Sequence, residues 1–154
     1  MELYVGTSGY NYKGWKGPFY PERFPDKEML SFYGERFNAV EINNSFYRVP
    51  KPVVVRSWAE RVPDAFRFVL KATRRITHFK RLKEVGEETE YFLEIAAHLE
   101  ERLGAILFQL PPNLKKDMPR LQAFLELLPE SASATLEFRH DSWFDEEVYD
   151  CLRS

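Results

Sequence analysis

Two glutamates stand inside segments that otherwise read as buried strands: Glu41 in AVEIN (39–43) and Glu137 in ATLEFR (134–139). Cations of matching parity accompany them, Lys71 near the end of FRFVLKA (66–72) and Arg139 two residues after Glu137. Carboxylates roughly 5–9 Å apart hydrolyse glycosides, one as acid and the other as base or nucleophile. The same four residues also make a buried polar network in which the cations neutralise the glutamates, as burial of charge requires. The two readings are compatible, because catalytic acids are tuned by such neighbours. Glu41, Glu137, Lys71 and Arg139 are therefore the candidate catalytic set.

Other groups gather near them. Thr7 and Ser8 close the first strand segment, Asn43 the second and Gln109 the fourth, and His140 follows the fifth. KATRRITHFKRLK (71–83) holds six Lys or Arg and no acid, whereas EVGEETEYFLEIAAHLEE (84–101) holds seven Glu and no Lys or Arg. Arg74, Arg75, His78, Lys80 and Arg81, joined by Lys13 and Lys16, suit an anion, either a small phosphate or a nucleic-acid backbone. The loop GYNYKGWKGPFYP (9–21) is rich in aromatics, of which Tyr10 and Trp15 are placed to stack on a ring or sugar. Tyr47 and Arg48 start a second loop on the same side. Thr7, Ser8, Tyr10, Trp15, Asn43, Tyr47, Arg48, Arg74, Arg75, His78, Gln109 and His140 are the ligand-binding candidates, and no metal is assigned, since Glu41, Glu137 and His140 are fewer ligands than such sites use. Cys151 is the only cysteine, which rules out an internal disulfide and a thiolate zinc cluster. GTSG (6–9) has the spacing of neither a nucleophile elbow nor a phosphate loop. The cofactor is left unassigned.

The elements that position these residues alternate. Strand segments at 2–8, 39–43, 66–72, 105–110 and 134–139 recur every 30–40 residues. Helical stripes lie between them: Trp58, Ala59 and Val62; then Phe92, Ile95, Ala96, Leu99 and Leu103; then Leu121, Phe124, Leu125 and Leu128. Pro25 with Asp26 opens the first helix, Asp117 caps the one carrying Pro119, and Pro63, Gly104 and Pro129 mark stops. Asp141 or Ser142 can cap the last helix, with Trp143 packed beneath it. Alternation of this kind means parallel strands joined by crossovers, an α/β fold.

Strand parity separates two architectures. Val40, Ile42, Phe66, Phe68, Leu70, Ile106, Phe108, Leu110, Leu136 and Phe138 fall on one face. The opposite face is small below and polar above. A doubly wound sheet is apolar on both faces, whereas a barrel turns one face inward and makes its site at the carboxyl ends. The pattern predicts a partial TIM-type barrel, five of eight strands at ~31 residues per unit. The expected domain is one incomplete unit over 1–154, truncated in its fifth helix, with apolar first and fifth strand edges that favour self-association.

The blocks GTSGYNYKGWKGPFYP (6–21), FNAVEINNSFYRVP (37–50), FRFVLKATRRITH (66–78), ILFQLPPNL (106–114) and LEFRHDSWF (136–144) together resemble the YecE-like family, known as domain of unknown function 72. The resemblance spans essentially the whole chain. It implies a TIM-type barrel of ~250 residues whose activity is undetermined.

With 44% hydrophobic and 30% charged residues, the chain fits a folded globular protein. No apolar run reaches the ~20 residues of a membrane span, and the amino terminus has no signal-peptide pattern. A cytoplasmic location and no membrane partner are expected. The leading functional expectation is a hydrolase acting on a sugar- or phosphate-containing ligand. The alternative is a non-catalytic module that holds nucleic acid through 71–83, and a third is a structural remnant without activity.

Overall fold

Alternation of large apolar and smaller or polar residues builds the sheet. In a computed structural model describing residues 2–153, the strands are β1 (Gly6–Ser8), β2 (Ala39–Ile42), β3 (Arg67–Lys71), β4 (Leu103–Gln109) and β5 (Ala134–Glu137). All pair in parallel, in the order β1-β2-β3-β4-β5. Val40, Ile42, Phe68, Leu70, Ile106 and Phe108 are buried, and the residues between them are only half-buried. Helices therefore cover one face of the sheet and leave the other open.

The covering helices are α1 (Met29–Gly34), α3 (Pro52–Ala59), α4 (Gly86–Ala97), α5 (Met118–Leu125) and α6 (Glu146–Arg153). A further short helix, α2 (Asn44–Tyr47), follows β2 directly. Phe92, Ile95 and Leu99 fill the space under α4, Phe124 of α5 packs edge-on against Phe108 at 5.0 Å, and Trp58 of α3 stacks over Phe68. Pro52 and Pro119 sit in the first turns of their helices, where the missing N–H costs nothing. Asp117 caps α5 by accepting the Arg120 N–H at 3.1 Å. Trp143 is wholly buried, stacked on Phe138, and donates its indole N–H to the Leu114 carbonyl at 2.7 Å.

Several boundaries differ from the sequence expectation. Strand one begins at Gly6 rather than residue 2, because residues 3 and 5 bond to a side chain instead of a ladder. Asn38 Oδ1 accepts the Val5 N–H at 2.6 Å, and Asn38 Nδ2 donates to the Leu3 carbonyl at 2.8 Å. Leu3 and Val5 remain exposed at this edge. Leu103 and Gly104 belong to β4, not to a helix end. Gly104 is the extra residue where the β3–β4 register shifts, and a side chain there would press on Arg67 Cβ and the Phe68 carbonyl. Strand five stops at Glu137, so Arg139 lies beyond it. The last helix is capped by Asp145, which accepts the Val148 N–H at 3.2 Å, and not by Asp141 or Ser142.

After β3 the chain makes a π-helical turn (Arg75–Phe79) and then holds Arg81, Leu82 and Glu84 at positive φ. Non-glycine residues adopt this conformation only when surroundings impose it. Leu82 is buried and donates its N–H to the Ile76 carbonyl at 2.9 Å, while Lys80 Nζ donates to the Glu84 carbonyl at 2.8 Å. Glu88, in the first turn of α4, receives Lys80 Nζ and Arg75 Nε on one oxygen, both at 2.8 Å.

Two predictions follow from this packing. A Cβ at Gly6 would overlap the Ala39 carbonyl of the neighbouring strand, so Gly6→Ala should cost about 1–3 kcal/mol in urea unfolding; an unchanged midpoint would contradict the close β1–β2 approach. Hydrogen bonds from Lys80 and then Arg75 hold the Glu88 carboxyl at about 2, below its ordinary value. A depressed carboxyl stabilises the fold above the unfolded value, and that contribution fades as pH falls from ~4.5 toward 2. Melting temperature measured against pH should therefore show a shallower acid limb in Glu88→Gln than in the parent, and identical limbs would refute the clamp.

Candidate functional site

The carboxyl ends of the strands carry the polar groups of the open face. Registered neighbours in a parallel sheet share a face, so Ser8 opposite Glu41, and Gln109 opposite Glu137, lie together there. Ser8 Oγ donates to Glu41 Oε1 at 3.2 Å and in turn receives the Asn43 amide, making a chain across β1 and β2. Asn43 has left the strand: its helical backbone (φ −78°, ψ −25°) begins α2. Gln109 Nε2 donates to both oxygens of Glu137, at 3.0 and 2.9 Å, and Arg139 Nε lies 3.5 Å from Oε1.

The two glutamates are thus held separately. They stand on strands three steps apart in the sheet, and no side-chain bond links their two groups among the described residues. Arg139 pairs with Glu137 as the network reading has it. Lys71 pairs with neither glutamate; its ammonium lies 5.0 Å from the centre of the Phe46 ring.

A hollow of about 340 Å³ opens over the ends of β2, β3 and β4, lined by Asn43, Phe46, Tyr47, Lys71, His78 and Gln109. Glu137 borders it through Gln109. His78 stands edge-on to Phe46 at 4.9 Å, with Nδ1 2.9 Å from the Thr77 hydroxyl. Burial first, and then the charges of Lys71, Arg139 and Arg81, hold its imidazole below the usual histidine range. Lys71 is the cation in the wall of the hollow.

Other candidates serve the scaffold. Thr7 is in register with Val40 and turns to the helix side: its N–H donates to the Tyr33 hydroxyl at 2.8 Å, and its own hydroxyl to the Gly9 carbonyl at 2.6 Å. Trp15 packs among Tyr12, Phe19 and Tyr20, and the Tyr10 carbonyl accepts the Tyr20 hydroxyl at 2.6 Å. His140 Nδ1 accepts the Ser142 N–H at 3.1 Å and so caps the turn Asp141–Trp143. Lys16 pairs with Asp26, and Arg75 with Glu88. Arg74, Tyr47 and Arg48 remain exposed on the rim. Phe46 and Phe79 were not singled out from the sequence, although an aromatic inside a basic run is the available signal for Phe79. Phe46 offered none, since only the fold brings it over Lys71.

The chain resembles known proteins over this whole architecture. A family model described as "Protein of unknown function DUF72" matches residues 4–154. The UPF0759 protein YecE of Escherichia coli K12 is 35% identical over 75% of this chain and 43% of its own length, and UPF0759 protein YunF of Bacillus subtilis is 26% identical over 96% and 54%. The chain spans about half the length of these curated relatives. Among solved structures, a DUF72 family protein of Thermotoga maritima superposes with a TM-score of 0.79 at 35% identity, over 97% of this chain and 60% of that one. A DUF72 family protein of Enterococcus faecalis gives 0.73 at 22% identity, over 97% and 57%. With the family model covering nearly every residue, and the five quoted sequence blocks lying on the strands and rim loops just described, the chain belongs to the DUF72 family.

Proposed function

We propose that the five strands are part of a TIM-type barrel and that the hollow at their carboxyl ends binds a phosphate-bearing ligand, a sugar phosphate or a phosphate ester, for hydrolysis. The observation that supports this reading is a concave site with Lys71 and His78 in its wall and no carboxylate lining it. A barrel places its chemistry at this end of the strands. An anion entering there gains the Lys71 ammonium and the positive field that already disfavours protonation of His78.

Glu137 is the carboxylate next to the hollow, oriented by Gln109 and Arg139. Its role in this reading is to accept the proton of a water that attacks phosphorus and to pass it to the alcohol oxygen as the P–O bond to that alcohol breaks, with Lys71 stabilising charge on the phosphoryl oxygens. Glu41, bonded to Ser8 across the sheet, orients rather than reacts. A two-carboxylate glycosidase is the weaker reading, because each glutamate is held in its own group, Glu41 with Ser8 and Glu137 with Gln109 and Arg139.

The test is titration of inorganic phosphate followed by the His78 imidazole resonances. Bound phosphate should raise the His78 pKa, and Lys71→Met should weaken binding by about tenfold or more, in line with losing a charge-assisted hydrogen bond worth ~1.5–3 kcal/mol. In a phosphoester panel, Glu137→Gln should abolish turnover while leaving phosphate affinity in place. If phosphate at millimolar concentration leaves His78 unmoved, the site assignment fails.

A further inference from the structure

The phosphate hollow is one of three hollows that meet around α2. A second, of about 500 Å³, is lined by Tyr47, Arg48, Val49 and Lys51 among others, and a third, of about 110 Å³, by Tyr10, Tyr12, Asn43 and Trp58 among others. Tyr47 is a wall of the first and second, Asn43 of the first and third, and Asn44 of the second and third. No carboxylate lines any of them. A ligand with a single phosphate needs one hollow, whereas a chain of phosphates can occupy adjoining ones.

The side chains between the hollows fit such a chain. Tyr47 and Phe79 are 65% and 66% exposed, which is unusual for large rings and leaves open the part of each that Arg74 does not cover. The Arg74 guanidinium stands close to both, 5.6 Å from the Tyr47 centroid and 5.1 Å from that of Phe79, and no ion pair occupies it among the described residues. Arg75 and Lys80, from the same basic run, are instead both ion-paired to Glu88 on the α4 side. The ion pairs of this run thus lie on the α4 side, and Arg74 has none beside α2 among the described residues. Bare aromatic faces interleaved with unpaired cations are the surface on which single-stranded nucleic acid binds, bases on rings and phosphates on cations.

We infer that the surface around α2 is a path for single-stranded nucleic acid, with bases stacked on Tyr47 and Phe79, phosphates met by Arg48 and Arg74, and one phosphate seated at Lys71. This rests on the phosphate-site reading and names its ligand class: a phosphodiester in a single strand.

Fluorescence anisotropy with labelled oligodeoxythymidylate tests it. Binding should weaken as salt rises. Tyr47→Ala and Phe79→Ala should each weaken it on the order of tenfold, Tyr47→Phe should retain it, and Arg74→Gln should lower the salt slope by about one. These side chains are solvent-exposed, and unchanged melting temperatures will confirm that the variants fold. Equal competition by heparin, together with no effect of Tyr47→Ala, would show a simple polyanion surface and overturn the inference. So would an oligonucleotide that fails to bind while inorganic phosphate still shifts His78, which leaves the phosphate site standing. Loss of both signals would remove both readings.

Discussion

Helices cover only one face of this parallel sheet, and the arrangement of the carboxyl rim depends on that asymmetry. The large side chains of each strand go under the helices, where Phe68, Leu70 and Phe108 are fully buried. Residues of the other parity are relieved of packing and can be polar. Ser8, Glu41, Lys71, Gln109 and Glu137 stand on the open face for this reason, and parallel pairing brings their strand ends to one edge.

The loops above that edge are arranged by electrostatics as much as by packing. Glu88 gathers Arg75 and Lys80 onto a single oxygen and fastens the π-helical turn to α4. The left-handed residues after that turn are held by the burial of Leu82 and by local hydrogen bonds. As a result His78 points over the strand ends beside Phe46, while Arg74 stays outside against Tyr47 and Phe79. Cations that are neighbours in one run thus end with different partners.

Much of the fold was legible in the chain. Period-two burial in 39–42 and 67–71 and helical stripes in 86–97 and 118–125 survive folding with small shifts, because burial of apolar side chains is local in its pattern. The misplacements have tertiary causes. Thr7 reads as a rim residue, yet its register with Val40 turns it to Tyr33. Gly104 reads as a helix stop and is a bulge glycine set by the approach of β3. Trp15 and Tyr10 read as sugar-stacking groups and instead close the core beside Tyr20 and Tyr33.

The sequence by itself determined the α/β alternation, the polar parity of the strands and the family blocks, since all of these are properties of spacing along the chain. Only the tertiary structure decided which charges meet. It gave Glu137 to Gln109 and Arg139, left Lys71 on Phe46, and paired Arg75 and Lys80 with Glu88 but left Arg74 on Tyr47 and Phe79. Pairing between side chains 13 to 28 residues apart, as in Arg75–Glu88 and Gln109–Glu137, depends on strand register and loop path. Composition counts charges, and only distance in space makes them partners.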